Sequence, residues 1–385
     1  MKHSTERILT THCGSLPRPK DLLDLMKASA SGEAVDASTY AARVRSAVAD
    51  IVRQQAETGI DVVTDGEQSK TGFSAYIIER LAGFTPKSDT RRTSFTAEME
   101  AFPEYYEQYF SQRMTGGRVA PVGPVECTGP VSYRGQEAVR RDVENLKAAV
   151  AGVQPQEVFM PAVSPSGVGS NAYYRTEEEY LAAVADAMHE EYQAIVDAGF
   201  LVQVDDPFLT ELFSYSPLTA AERRKTAEQY VEAINHALRG IPSERVRYHT
   251  CYGINEGPRV YDVPLGDIVD VVLKINADAY SFEAANPRHE HEYHVFERVK
   301  VPEGKILIPG VISHTTNLVE HPELIAERIG RFAKLVGRES VIAGADCGFA
   351  ASAVRFNDTH PSVAWLKFAA LAEGARLATR QLWGR

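Results

Sequence analysis

The chain has 385 residues, of which 44% are hydrophobic and 24% charged, and a formal net charge of -11. That is enough chain to bury a large core, with the composition of a globular enzyme. The acidic balance excludes sequence-independent binding to nucleic acid, and no run approaches the roughly 20 apolar residues of a membrane span.

The N-terminal stretch MKHSTERILTTH has no signal-peptide apolar core. The four cysteines are too widely spaced for a disulfide framework. Both features lead us to expect a reducing, cytoplasmic setting.

In chain order, eight short runs read as strands: ILTTH (8–12), DVVTD (61–65), EVFMPAV (157–163), LVQVD (201–205), VRYHTC (246–251), AYSFE (279–283), ILIPGVI (306–312) and VIAGADC (341–347). Segments of helical period such as TEEEYLAAVADAMHEEYQAIVDAG and EHPELIAERIGRFAKLVG separate them. Eight parallel strands with intervening helices predict an α/β fold, a (β/α)8 TIM barrel. A doubly wound open sheet is the alternative, but THCGSLPRP after the first strand lacks the Gly-rich dinucleotide turn. Residues 84–135 break the alternation and read as an inserted lobe after the second strand-helix unit, with short antiparallel strands of its own. No linker or repeat divides the chain, so one catalytic domain is expected over 1–385.

In such a barrel the reacting groups sit at the C-terminal strand ends. Polar residues collect there: His12, Cys13 and Ser15 after the first strand, and Asp65 and Glu67 after the second. Ser164 and Ser166 follow the third, and Asp205 and Asp206 close the fourth. The fifth carries His249 and Cys251, the sixth Glu283 and Asn286, the seventh Ser313 and His314, and the eighth Asp346 and Cys347.

His249 and Cys251 are two apart, so on a strand they share a face. Glu283 and Cys347 come from strands near enough around the ring to join them. Singly, each cysteine reads as a buried small hydrophobe and His249 as a core histidine. As a set at strand ends they read as a metal site with Glu283 as exchangeable fourth ligand, and thiolates select zinc over magnesium or calcium. Zinc held by two thiolates suits activation of a substrate thiol.

Other groups have plainer readings. Cys13 beside His12 would be a second metal pair only if both faced one way, which adjacent strand residues do not. Cys127 reads as structural. His289, His291 and His294 are interleaved with Glu, as on a solvated helix or beside a site.

The segments THCGSLPRP, DVVTDGEQSKTGF, LVQVDDPFL, HTC, SFE, GVISH and DCG run in order over nearly the whole chain. Together they resemble the cobalamin-independent methionine synthase family, in a short form carrying only the catalytic barrel. The resemblance implies a (β/α)8 fold, a zinc on His249, Cys251, Glu283 and Cys347, and methyl transfer from methyltetrahydrofolate or a related donor to homocysteine. It also implies that Ser15, Glu67 and Asp205 hold the amino-acid end of homocysteine, although Glu67 reads equally as a buried helix-capping acid.

A folate amine leaves only when protonated, so a general acid is needed, with His314 and Asp205 as candidates. GVISHTTN sets His314 close to the family's acid histidine but not securely in its register. Transfer from an epoxide to coenzyme M, as in the related epoxyalkane:coenzyme M transferases, is the alternative. Its sulfonate would call on cations such as Arg18 or Lys70. A metal-free lyase like uroporphyrinogen decarboxylase would leave HTC, SFE and DCG unexplained.

Overall fold

The computed structural model describes residues 1–73, 75–87, 96–114, 124–214, 217–253, 257–350, 353 and 359–384. The apolar strand runs become β1 (Leu9–Thr10), β2 (Val62–Val63), β3 (Glu157–Val163) and β4 (Leu201–Asp206). They continue as β5 (Val246–Thr250), β6 (Ala279–Phe282), β7 (Ile306–Ile312) and β8 (Ile342–Ala345). All ladder pairs among them are parallel, in the order β1-β8-β7-β6-β5-β4-β3-β2.

The two ends of that order meet through Asp61. Its N–H donates to Thr10 O at 3.1 Å, and its carboxylate accepts the Thr10 N–H at 2.9 Å. The sheet is therefore a nearly closed barrel, as the alternation of strands and helices predicts.

Helices form a ring outside it, each stopped or started by local chemistry. Asp36 caps Ala37–Thr58, accepting from Thr39 N at 2.7 Å, and Gly59 ends that helix at φ 92, where a Cβ would be strained. Thr176 caps Glu177–Asp197, whose first turn holds three glutamates facing the helix dipole. Thr219 and Glu222 form a capping box on Ala220–Ala237. Neighbouring helices touch around the ring, and the last, Pro361–Trp383, returns to pack on Ala37–Thr58.

Side chains inside the barrel are layered. Leu9, Ala279, Ile306, Ile308 and Ile342 make an apolar floor, with Val62, Phe159 and Leu201 in a second cluster beside it. Above it lies a fully buried Arg247. Its guanidinium sits 3.9 Å over the Phe159 ring and donates to Thr11 Oγ1 and His12 O, both at 2.9 Å. Because alternate strand residues share a face, Arg247 puts His249 one layer higher.

Between β2 and β3 the chain makes an excursion. The short helix Ala75–Arg80 leads into strand Leu81–Pro86, which pairs antiparallel with Val125–Tyr133. Helices Thr96–Ala101 and Pro103–Met114 lie between these two strands in the chain, and the outer helix Gln136–Val150 follows them. The excursion thus springs from the C-terminal side of β2, the same side as the polar strand ends. Cys127 is buried in its second strand, with its thiol donating to Gly129 O at 3.2 Å.

Candidate metal centre and substrate site

His249, Cys251 and Cys347 offer ligand atoms that all lie within 4.8 Å of one another, and all three are buried. The thiol sulfurs of Cys251 and Cys347 are 3.2 Å apart, yet all four cysteines of the chain are free.

Several local devices bring them together. Ser281 Oγ, opposite His249 in the β5–β6 register, lies 3.2 Å from His249 Nδ1. That contact fixes the ring and leaves Nε2 buried with no hydrogen-bond partner. Cys251 follows β5, where its N–H donates to Asp206 O at 3.1 Å and its sulfur accepts the Gly253 N–H at 3.3 Å. Cys347 follows β8, which must pass close to β7 here. A Cβ on Gly310 would meet the backbone nitrogen of Asp346 at 2.6 Å, so that position demands glycine.

Glu283 does not join the three-atom cluster. Its Oε2 lies 2.8 Å from Arg259 Nη1 and accepts from Asn286 Nδ2 at 2.6 Å, while Oε1 is buried without a partner. The loop carrying it is organised by Asp346, which accepts the N–H groups of Ala284, Ala285 and Asn286 at 2.8, 2.8 and 2.9 Å. One carboxylate beside Cys347 therefore sets the backbone of Glu283.

Burial pushes His249 down to about 3, with Arg247 adding to the effect, so the ring is the neutral imidazole a metal requires. The Cys347 thiol is pushed well up, first by its hydrogen bond with Cys251 and then by burial. Burial raises Glu283 to about 7, against the pull of Arg259. Two thiols, an unpartnered imidazole nitrogen and an unpartnered carboxylate oxygen, all on buried residues, form a donor set that a divalent cation would satisfy. The chemistry of the set, sulfur and nitrogen with one carboxylate nearby, fits zinc.

The second half of the mouth is acidic. Glu67 and Asp205 are buried, and Glu67 Oε2 has no hydrogen-bond partner among the described residues. Burial raises both carboxyls, and the charge of Glu67 raises Asp205 further, well above its usual range. Glu67 stands at φ 55, a left-handed conformation rare for a residue with a Cβ. Asp206, by contrast, is spent on structure. It accepts from Tyr248 Oη and from the N–H groups of Phe208 and Leu209 at the start of helix Phe208–Ser214.

Ser15 lies against the Cys347 loop. It accepts the Phe349 N–H at 2.9 Å on its carbonyl, and a Cβ on Gly348 would collide with its Oγ. His314 is buried with both ring nitrogens unpartnered, and burial together with the Arg259 charge holds its pKa well below the usual histidine value. Arg18 and Lys70 are buried too, but bound. Arg18 donates to the carbonyls of Ala350, Glu67 and Lys70, and Lys70 Nζ to Pro161 O at 2.5 Å.

His12 and Cys13 point apart. His12 Nε2 lies 2.8 Å from Gln55 Oε1, between the rings of Phe159 and Phe368, whereas Cys13 Sγ lies 3.7 Å from His249 Nδ1. His289 is buried and paired with Asp262 and Glu292, and His294 is exposed beside Glu297. Nothing in the local pattern of EGPRV singles out Arg259, because a charged residue after Gly-Pro is ordinarily solvated.

Among known proteins, the methionine synthase of Sulfolobus acidocaldarius is 25% identical over 345 residues, covering 88% of this chain and 85% of the relative. That of Saccharolobus islandicus is 24% identical over 377 residues, covering 97% and 95%. A B12-independent methionine synthase from Shewanella, solved in complex with selenomethionine, superposes with a TM-score of 0.73 at 20% identity, covering 98% of this chain and all of that one. A second from Listeria monocytogenes, described as putative, gives 0.67 at 21% identity, covering 96% of this chain and 98% of that one. These two structures share the barrel. The sequence profile of the family described as "Cobalamin-independent synthase, Catalytic domain" matches residues 8–116 and 162–364, and the chain belongs to that family.

Proposed function

We propose that this protein transfers a methyl group to the sulfur of homocysteine, from a methyltetrahydrofolate or related donor, with zinc on His249, Cys251 and Cys347 and with Glu283 as the exchangeable fourth ligand. The observation that carries this reading is the convergence of those three ligand atoms within 4.8 Å at the mouth of the barrel. When bound there, zinc supplies a Lewis acid that keeps a substrate thiol deprotonated near neutral pH.

The remaining chemistry belongs to the protein. Glu67 and Asp205 are two buried carboxyls, the charge of Glu67 raises the proton affinity of Asp205, and an amino-acid ammonium between them relieves that repulsion. Ser15 presents its hydroxyl to the carboxylate end of the same substrate. His314 is the group to carry the proton that the substrate thiol gives up to the leaving amine. It is uncharged at rest, so it can take up that proton, and burial makes the resulting imidazolium a ready donor. Asp205, with its raised pKa, is the other candidate. The buried walls exclude water and hold the thiol in line with the methyl carbon.

A sulfonate thiol such as coenzyme M is disfavoured because Arg18 and Lys70 are engaged by backbone carbonyls. We read 1–385 as one catalytic barrel with 84–135 as an inserted lobe, working in a reducing cytoplasm that keeps the four thiols free. Among the described residues no helix is long and apolar enough to cross a membrane.

The test is metal analysis followed by an activity screen crossing homocysteine and coenzyme M with methyl-folate, S-methylmethionine and an epoxide. About one zinc per chain and methyl transfer to homocysteine are expected. A folded, metal-free protein, or a preference for the sulfonate thiol, overturns the reading.

A further inference from the structure

Glu283 is held by an arginine that is itself held from three directions. Arg259 is buried, with Nη1 2.8 Å from Glu283 Oε2 and Nε donating to Asp262 at 2.8 Å. Its backbone N–H donates to Glu98 Oε2 at 3.1 Å, and the N–H of Tyr261 donates to the other oxygen of Glu98 at 3.2 Å. Glu98 is buried on the excursion helix Thr96–Ala101, so a carboxylate brought from far along the chain clamps this loop from outside.

Arg259 also stands at φ 56, one of two non-glycine residues with positive φ among the described residues, the other being Glu67 in the acidic half of the mouth. Such a conformation is strained for a residue with a Cβ and persists only where surrounding contacts impose it. The contacts here aim one guanidinium at Glu283, a carboxylate that stands beside, but outside, the cluster of His249, Cys251 and Cys347.

A buried carboxylate with no cation would be driven onto any metal in that cluster, because burial penalises an uncompensated charge. Arg259 weakens that drive. It shares Oε2 with Asn286 and leaves Oε1 without a partner, so the carboxylate is retained near the cluster while its charge is already balanced.

We propose that Arg259 is a positioning residue that competes with the bound metal for Glu283, so that Glu283 stays a readily exchanged fourth ligand beside His249, Cys251 and Cys347 and yields its place to an incoming thiol. This rests on the reading of the cluster as a zinc site. Glu98 makes the excursion part of the device, since it fixes the loop from which Arg259 reaches.

The experiment uses the full chain with Co2+ as probe, whose visible absorption reports the number and kind of donors. Wild type, Arg259→Met, Glu283→Gln and the double variant are titrated with Co2+ against a chelator, then with homocysteine. Arg259→Met is expected to bind the ion roughly 10-fold or more tighter, the scale on which partners of metal ligands act. The homocysteine concentration at half spectral change should rise by a similar factor. The gain should vanish in the double variant, because it acts through Glu283.

Unchanged or weaker Co2+ binding in Arg259→Met, or a gain that survives Glu283→Gln, overturns the proposal. Should Arg259→Met fail to fold, Arg259→Lys carries the test. A lysine cannot span Asp262 and Glu283 together, so tighter binding is again expected and its absence overturns the proposal. Wild type that takes up no Co2+ refutes the metal reading itself, which is a different result from uptake that Arg259 does not affect.

Discussion

The excursion that bears Glu98 is anchored at its base by one buried carboxylate, and this yields a quantitative prediction. Glu191, on helix Glu177–Asp197, accepts from Tyr76 Oη at 2.7 Å on Oε1, and from Tyr133 Oη at 2.6 Å and Arg80 Nη1 at 3.2 Å on Oε2. Arg80 also pairs with Asp142 on helix Gln136–Val150. Burial alone would raise the Glu191 carboxyl. The charges of Arg80 and Lys70 and the two phenol donors reverse this, so it is held below its usual value and stays ionised.

Tyr133→Phe removes one hydrogen bond to a charged acceptor, worth about 1.5–3 kcal/mol, and leaves no acceptor orphaned because Oε2 keeps Arg80. We therefore expect a loss near the lower end, about 1.5–2 kcal/mol. Tyr76→Phe should cost about 1 kcal/mol more, since Tyr76 Oη also receives the buried Val163 N–H at 3.3 Å. Urea unfolding followed by circular dichroism measures both, provided the m-values match wild type.

The pH dependence has a fixed sign. A carboxyl whose folded pKa is depressed contributes fully above its unfolded pKa and loses that contribution as pH falls through the folded value. The gap between wild type and Tyr133→Phe should therefore narrow in acid. A gap at neutral pH of only a few tenths of a kcal/mol, or one that widens on acidification, refutes the reasoning.

Three other predictions follow from the mouth of the barrel. Cys347→Ser should lower bound zinc well below one per chain and abolish transfer while the circular dichroism spectrum stays native; full metal content would make Cys347 structural. Burial opposes a charge on His289, but Asp262 and Glu292 raise it to about 9, so its stabilisation is complete below about pH 6.5 and lost as pH rises through 9. Urea midpoints at pH 7 and pH 10 should fall more in wild type than in His289→Asn; equal falls would remove the charged histidine. Gly348→Ala pushes Ser15 Oγ aside and should raise KM for homocysteine about 10-fold or more, with less effect on unfolding; an unchanged KM takes Ser15 out of the substrate site.

Much of the fold is legible because it is written in short-range pattern. Eight apolar runs separated by capped amphipathic helices require a parallel sheet with covered faces, and a nearly closed barrel meets that need. The strands form shorter than the apolar runs at β1 and β2, because there side chains such as Asp61 and Gln55 take up backbone groups in place of the ladder. His249 and Cys251 are legible as a pair from strand periodicity. Their meeting with Cys347, nearly a hundred residues on, depends on β5 and β8 belonging to one ring.

By itself, then, the sequence determined the barrel, the end of it that carries the chemistry, and the residue types that can hold a soft metal, all consequences of period and composition. Tertiary structure alone decided which of those groups are available. Asp206 and Arg18 are consumed largely by backbone partners, while Glu67 keeps a buried oxygen without a partner and Asp205 accepts from Gln203 Nε2. Glu283 stands paired with Arg259 beside three converged candidate ligands, under a clamp from Glu98 more than 150 residues away. Those outcomes turn on burial and on which charge meets which across the ring. Neither quantity has a local signature, since desolvation and Coulomb terms depend on distance in space and not along the chain.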